Sequence, residues 1–570
     1  MSHQEHHVKH RISALLPALI IFMFLTSACG IALPGLTRQA TPITSGTDTG
    51  QIEPLTKQTP TTITPSLQGL WISTSLPGLF LSAISKTDYP QAVDESTAAL
   101  VLKQIASGES SQNLIHESDW IFALAAPFFT VRDGVTSEQL LQIWRGEASD
   151  ELSTRQLEME DSTFAAFTIM WGDPSPATVK IKPAGELLAD TWAAENVWAL
   201  IPFESIAPKY KILKIDGLSP LDKPLDIDKY LLRVKYGLFS NGNLDEATNT
   251  GVKAFTAQLP VTNRDESRMT VLIMSGTTAM TRATAFKIET KGMDYVTSGV
   301  RDWFLAADLR HVSNEISFDP DCPKPDPNST SMRFCADPSY IQILKDLGIN
   351  VVELTGNHEN DYGPEHFAQT IATYNELGWT IFGGGLTPED ARKPALIENN
   401  GNKIAFIGCN PVGPSGDWVT DTHAGAAKCD PDYYYAQISA LKQQGYVVIA
   451  TFQHQEIYQY MYGDYLKADF RQAAASGADI VSGAQAHFPM GFEFNNNALI
   501  HYGMGNFLFD QMDYPVVGTR REFIDRHIIY GGSYINTELL TALLTDYSRP
   551  RPMTEEERTQ FLTDLFTASQ

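Results

Sequence analysis

The sequence is short of positive charge and of cysteine, and it lacks an apolar stretch long enough to be comfortable across a membrane. Its 42 Lys and Arg face 67 Asp and Glu, for a formal net charge of −25, and no basic block occurs beyond the first residues. Nucleic-acid binding needs a cationic footprint that releases counterions from phosphates, so that class is excluded. The same acidity works against polyanions in general, except where a local pocket reverses the sign. The apolar run at residues 12–25 falls short of the ~20 residues that span a bilayer as a helix. Only 5 cysteines occur in 570 residues, and none is spaced as the CxxC pair that a zinc site favours.

What is present describes a large globular chain. A length of 570 residues exceeds what one hydrophobic core holds, so two or more domains are expected. Hydrophobic residues make up 43% and charged residues 19%, ordinary for a folded protein and not for a disordered one.

The N-terminus reads as an export signal. Lys9, His10 and Arg11 precede the apolar run, which ends in Leu25-Thr26-Ser27-Ala28-Cys29. Small residues before a cysteine resemble a bacterial lipoprotein lipobox, which implies that Cys29 is diacylated and becomes the mature N-terminus. An uncleaved membrane anchor is the alternative, and both readings put the protein outside the cytoplasm. Residues 29–68, rich in Thr, Pro and Ser, have no apolar period and read as a spacer. The remaining cysteines, Cys322, Cys335, Cys409 and Cys429, allow three disulfide connectivities, and pairing of neighbours is preferred because it closes short Pro-, Gly- and Asp-rich loops. A four-cysteine zinc site is the rival.

Residues 69–245 alternate short apolar strands, at 120–126, 164–171, 197–203, 210–215 and 230–235, with a helix at 136–144 capped by Thr136 or Ser137. Gln142-Ile143-Trp144-Arg145-Gly146-Glu147 faintly resembles solute-binding proteins of the phosphate-receptor type; an α/β domain of unknown ligand is the plainer reading. Residues 270–540 show strands near 270–274, 350–354, 380–382, 403–408, 446–452, 478–481 and 498–502 between helices at 340–347, 364–377, 433–444 and 465–476. That alternation predicts a layered α/β domain, with ligand-binding loops beyond the strand ends. Residues 541–570 read as a tail.

The polar motifs fall at those strand ends: Ser275-Gly276-Thr277 leading to Arg282, Ser313-Asn314-Glu315, Asn357-His358-Glu359-Asn360-Asp361-Tyr362-Gly363, Gln453-His454, Gly483-Ala484-Gln485-Ala486-His487, and Tyr502-Gly503-Met504-Gly505-Asn506 running on to Gln511. In this order they resemble the CapA-like capsule and poly-gamma-glutamate synthesis family, relatives of the calcineurin-type metallophosphoesterases, over about residues 269–511. The resemblance implies a metallophosphoesterase-like layered α/β sandwich preceded by a smaller α/β domain. It implies a role in capsule or poly-gamma-glutamate synthesis or anchoring at the bacterial cell envelope. It also implies a divalent metal site, Mn or Zn, in which two ions would clamp attacking and leaving oxygens. On this reading Glu315, Asn357, His454 and His487 are metal ligands, His358 is the acid or charge stabiliser, and Asp361 orients it. Arg282, Gln453, Gln485 and Asn506 face substrate.

Several positions depart from the family pattern. Thr277 stands where Asp is usual, Gln453 aligns with a strand-end His, and Gln485 replaces another. Hydroxyls and neutral amides bind Zn²⁺ or Mn²⁺ far more weakly than carboxylate and imidazole, so one metal or none is expected rather than two. Two functions follow. One is a metal-dependent hydrolase or transferase. The other is an inactive module that keeps the fold and binds or assembles an anionic envelope polymer such as poly-gamma-glutamate or capsule material. Each site residue also has a structural alternative: Asn357 and His358 capping the next helix, His487 as a buried hydrogen-bonder, Arg282 paired with a carboxylate, Asn506 stabilising a turn. Glu456, near Tyr458 and Tyr460, reads equally as a substrate contact or a solvated face.

Overall fold

A computed structural model of the chain describes residues 69–86, 90–106, 108–242 and 246–569, with backbone only at 246–250. The export signal, Cys29 and the spacer lie outside the described residues. Among the described residues no helix is long and apolar enough to cross a membrane.

The site-bearing half is built on two facing sheets. One orders its strands Thr380–Phe382, Val351–Glu353, Leu309–Asn314, Met269–Thr278, Arg521–Tyr530, Ser533–Thr545 and Arg549–Pro552, with Asn506–Leu508 also pairing to Met269–Thr278. The other runs Ala395–Asn399, Asn402–Cys409, Val447–Gln453, Ile480–Ala484, Ala498–His501 and Phe492–Asn495. Side chains alternate faces along a strand, and that period assembles the layers. Leu272 and Met274 turn inward to meet Phe406, Ile449 and Leu499 of the facing sheet. Val271 and Ile273 point outward into a layer holding Ile288, Phe304, Leu344 and Phe367. On the far side Ile407, Val448 and Val481 pack against Ile438, Leu441 and Phe470 of the helices Pro431–Gln443 and Asp464–Ala475. The result is an α/β sandwich of helix, sheet, sheet and helix, the expected fold class.

The N-terminal part forms a separate nine-stranded sheet centred on the long strand Leu114–Pro127. The helix after Thr136 is there as Ser137–Arg145, closed by a capping box between Thr136 and Gln139. Residues 164–171 are not a strand: they belong to the helix Asp161–Trp171, whose Thr163, Ala166 and Phe167 are buried one turn apart. An eight-residue apolar run satisfies either period, and packing decides it. Nor is the C-terminus a tail. Arg549–Pro552 extends the first sheet, and helix Glu555–Ser569 buries Phe561, Leu562, Leu565 and Phe566. Both parts belong to one compact unit. Phe128 of the N-terminal part packs on Phe492, Phe494 and Phe566, and Asp133 takes two hydrogen bonds from Arg558.

Candidate functional site

The motif residues converge where several strands of both sheets end. Two glycines let the loops close together: a Cβ on Gly276 would lie 2.0 Å from the Gly505 carbonyl oxygen, and one on Gly356 would lie 2.7 Å from Glu315 Cα. Glu315, directly after strand Leu309–Asn314, is buried and meets Gln453, the last residue of strand Val447–Gln453.

Gln453 organises this cluster. Its amide nitrogen donates to Glu315 Oε1 at 2.7 Å, to Asn357 Oδ1 at 3.1 Å and to Gln485 Oε1. Thr277 Oγ1 lies 3.4 Å from the same Glu315 oxygen. Three oxygens from three loops thus converge on one N–H₂ group, the position a cation shared by those oxygens would take. His454 is not in the cluster. It follows Gln453 by one residue and faces the other way, its Nε2 3.1 Å from Asp469 and its Nδ1 accepting from the Gln455 N–H.

His358 and Asp361 form a pair on the loop before helix Pro364–Glu376, with Nδ1 to Oδ2 at 2.7 Å. Asp361 also accepts from the Phe334 N–H, and Phe334 packs on the imidazole at 4.4 Å between ring centres. Burial lowers the affinity of His358 for a proton, but the Asp361 hydrogen bond and the charges of Asp361, Glu315 and Asp417 outweigh it and hold the imidazole above its ordinary pKa. Asp417 accepts from the Asn360 N–H at 2.9 Å, and burial pushes its carboxyl up to about 6. Glu359 is fully enclosed, and among the described residues no side chain is hydrogen-bonded to its carboxyl group. Burial, with Asp417 and Glu315 adding repulsion, raises it well above the usual carboxylate range.

His487 is buried and bonded through Nδ1 to Asn506 Oδ1 at 2.8 Å, with Phe509 stacked on it at 4.9 Å. Arg282 lies apart from the Gln453 cluster. Its guanidinium forks onto Asp510 at 2.5 and 3.1 Å and sits over the faces of Phe334 and Phe509. Residue patterning did not mark Phe334 or Asp417, and it gave no role to Glu359 or Phe509 although both lie in the quoted motifs. Phe334 and Asp417 reach the site on loops closed by the disulfides Cys322–Cys335 and Cys409–Cys429, so their loop positions carried a clue only to the bridges.

A divalent metal does not fit the donors as arranged. The one carboxylate and two carboxamide oxygens that converge surround the Gln453 amide nitrogen, which fills the point they share, and His454 is turned away. Among the described residues, no three His, Cys, Asp or Glu side chains are grouped to hold a metal ion.

The class defined by this architecture is an α/β sandwich with a buried polar cluster built from strand-end loops. Residues 271–511 match the family model described as bacterial capsule synthesis protein PGA_cap, and over this segment the chain is similar to the CapA-like capsule synthesis family. The PGA biosynthesis protein CapA of Bacillus subtilis (strain 168) is 26% identical over 226 residues, covering 39% of this chain and 59% of that protein. The capsule biosynthesis protein CapA of Bacillus anthracis is 26% identical over 270 residues, covering 46% and 65%. The chain therefore spans under two thirds of either relative. Among solved structures, a 5'-nucleotidase precursor from Thermus thermophilus aligns with TM-score 0.30 and 13% identity over 53% of this chain and 59% of that one. An ABC-type phosphate transport receptor from Vibrio cholerae aligns with TM-score 0.28 and 12% identity over 33% of this chain and 93% of that one. At this distance neither likeness bears on ligand or activity.

Proposed function

We propose that this chain serves capsule or poly-gamma-glutamate synthesis at the cell envelope as a polymer-binding or assembly module, tethered through a lipid on Cys29, and not as a dinuclear metallohydrolase. One observation supports this reading over the other: the Gln453 amide nitrogen sits among Glu315, Asn357 and Gln485, supplying by hydrogen bonding what a shared cation would supply by charge. Hydrolysis by two metals needs an open pair of ions between attacking and leaving oxygens. The carboxamide nitrogen donates hydrogen bonds and does not ligate a metal ion, and it occupies the point where the three oxygens meet. The relatives named for capsule and PGA biosynthesis support the polymer as ligand, and the two disulfides fit an oxidising compartment.

The test is calorimetric titration of the purified full-length chain with poly-gamma-glutamate, with and without EDTA. Binding is expected in both conditions. Added salt should not weaken it, because protein and polymer are both acidic and salt screens their repulsion. Two equivalents of Mn²⁺ or Zn²⁺ that copurify with the chain, together with polymer cleavage lost in His358→Ala, would overturn the reading in favour of the hydrolase.

A further inference from the structure

We propose that a one-way chain of hydrogen bonds, from His487 through Asn506, Gln511 and Tyr458 to Glu456, locks His487 in the tautomer protonated on Nδ1, so that Nε2 is offered to a hydrogen-bond donor of the ligand, an N–H or O–H group.

The direction of the chain follows from two backbone carbonyls. Asn506 Nδ2 lies 3.1 Å from the His487 carbonyl oxygen and 3.0 Å from that of Thr519. Carbonyls only accept, so the amide nitrogen must face them. Its Oδ1 is then the atom 2.8 Å from His487 Nδ1, and an oxygen there requires the proton to be on Nδ1. The same logic runs outward. Asn506 Nδ2 is also 3.2 Å from Gln511 Oε1, which shares one of its two N–H hydrogens with a carbonyl, since a second amide nitrogen facing it would offer no acceptor. Gln511 Nε2 therefore points at Tyr458 Oη, 2.9 Å away, and donates to it. The phenol proton is left for the Glu456 carboxylate, its other partner.

Every link donates in one direction and the last acceptor is anionic. Such chains polarise cooperatively, and here the polarisation makes His487 Nε2 a stronger acceptor. The ring is fixed in orientation as well, between Phe509 at 4.9 Å and Tyr458 at 6.5 Å. Asn506 is completely buried and His487 is 5% exposed, so water competes weakly for either. Nε2 carries no hydrogen bond among the described residues. Glu456, Tyr458, Gln511 and Asn506 are positioning residues: none need touch the ligand. The donor most accessible on a poly-gamma-glutamate chain is its backbone amide N–H. That last step rests on the polymer-binding reading above; the tautomer does not.

The experiment is long-range ¹H–¹⁵N correlation of the full-length chain labelled only in histidine, at about pH 8, where an imidazole of ordinary pKa is neutral. The chain has 13 histidines, and loss of one signal set in His487→Gln assigns His487. The expected pattern has Nδ1 protonated and Nε2 bare. Tyr458→Phe, which keeps the flanking ring, and Glu456→Gln both weaken the polarisation and should shift the Nε2 signal, while the tautomer, fixed by Asn506 on its two carbonyls, and the remaining histidine signals stay in place. A proton on Nε2 in the native protein overturns the proposal, and so does a His487 spectrum indifferent to both variants. Poly-gamma-glutamate is then added. Movement of the Nε2 signal on binding, and about tenfold weaker binding by His487→Gln for one lost hydrogen bond, support the donor assignment. Polymer that binds calorimetrically without moving Nε2 overturns that assignment and leaves the binding reading standing. No binding at all overturns the binding reading and leaves the tautomer standing.

Discussion

The charge on the His358 loop is set by competition between burial and three carboxylates, and Asp417 is where the competition is easiest to measure. Its carboxyl titrates at about 6 in the folded chain against 3.8 for the free group. Between those values the folded state holds a proton that the unfolded state has released, so stability falls as pH rises through the window. A shift of this size corresponds to about 3 kcal/mol at neutral pH. Asp417→Asn keeps an oxygen for the Asn360 N–H and removes the charge. Urea denaturation should find the variant about 1–3 kcal/mol more stable than the native protein at pH 7 and little different near pH 4. A difference that stays constant over that range would mean that Asp417 is not the titrating group. Residues of this kind explain what was legible in the sequence and what was not. Glu315, Asn357, Gln453 and Gln485 were marked by being polar at strand ends, where α/β folds gather their loops. Assigning His454 to the same cluster failed by one residue, because adjacent side chains at a strand end face opposite ways. Asp417 left no mark, since its burial is created by a loop folding back across the site.

At the scale of elements, two disulfide loops grip one short segment. The loop closed by Cys322–Cys335 places Phe334 against His358 and aims its N–H at Asp361, while Arg333 donates to the Asp361 carbonyl at 3.0 Å. The loop closed by Cys409–Cys429 brings Asp417 to the Asn360 N–H, and its Gly416 and Ala424 carbonyls accept from the Asn360 side chain, each at 3.0 Å. Residues 358–361 are therefore held from two sides by chain that has little secondary structure of its own. With sequence separations of 13 and 20, each bridge is expected to stabilise the fold by about 3 kcal/mol through the entropy of the unfolded chain. Cys409→Ser/Cys429→Ser should lose about that much in denaturant titration and, in hydrogen exchange, deprotect the Asn360 amide before the sheet strands. Equal deprotection throughout the sandwich would show that the bridge supports the whole fold and not the site loop. The four cysteines left after Cys29 suggested the bridges, but nothing in residue spacing said that both would serve one loop. Likewise the helix Asp161–Trp171 passed for a strand because its eight-residue apolar run fits both periods; only its buried turn, Thr163, Ala166 and Phe167, separates them.

At the scale of the whole molecule, the open question is whether the N-terminal sheet and the sandwich unfold together. Phe128 stands at the end of the long strand Leu114–Pro127 and is 2% exposed. Its ring packs on Phe492 and Phe494 of the sandwich and on Phe566 of the C-terminal helix, at 5.6, 5.0 and 6.4 Å between ring centres. Beside it Asp133 bridges Lys211 of the N-terminal part to Arg558 of the C-terminal helix. Removing a buried phenylalanine costs about 3–5 kcal/mol from lost transfer energy and the cavity left behind. Here nearly all of that loss falls on contacts between the two parts, because the ring's aromatic partners apart from Phe129 belong to the sandwich and its closing helix. Coupling of this size makes a single cooperative transition the expected behaviour of the native chain in calorimetry. Phe128→Ala should lower the midpoint and divide the transition, with the N-terminal sheet melting first because it loses the neighbour that covers its strand end. A native chain that already shows two transitions, unchanged in separation by Phe128→Ala, would mean that the aromatic contact joins the parts without coupling them.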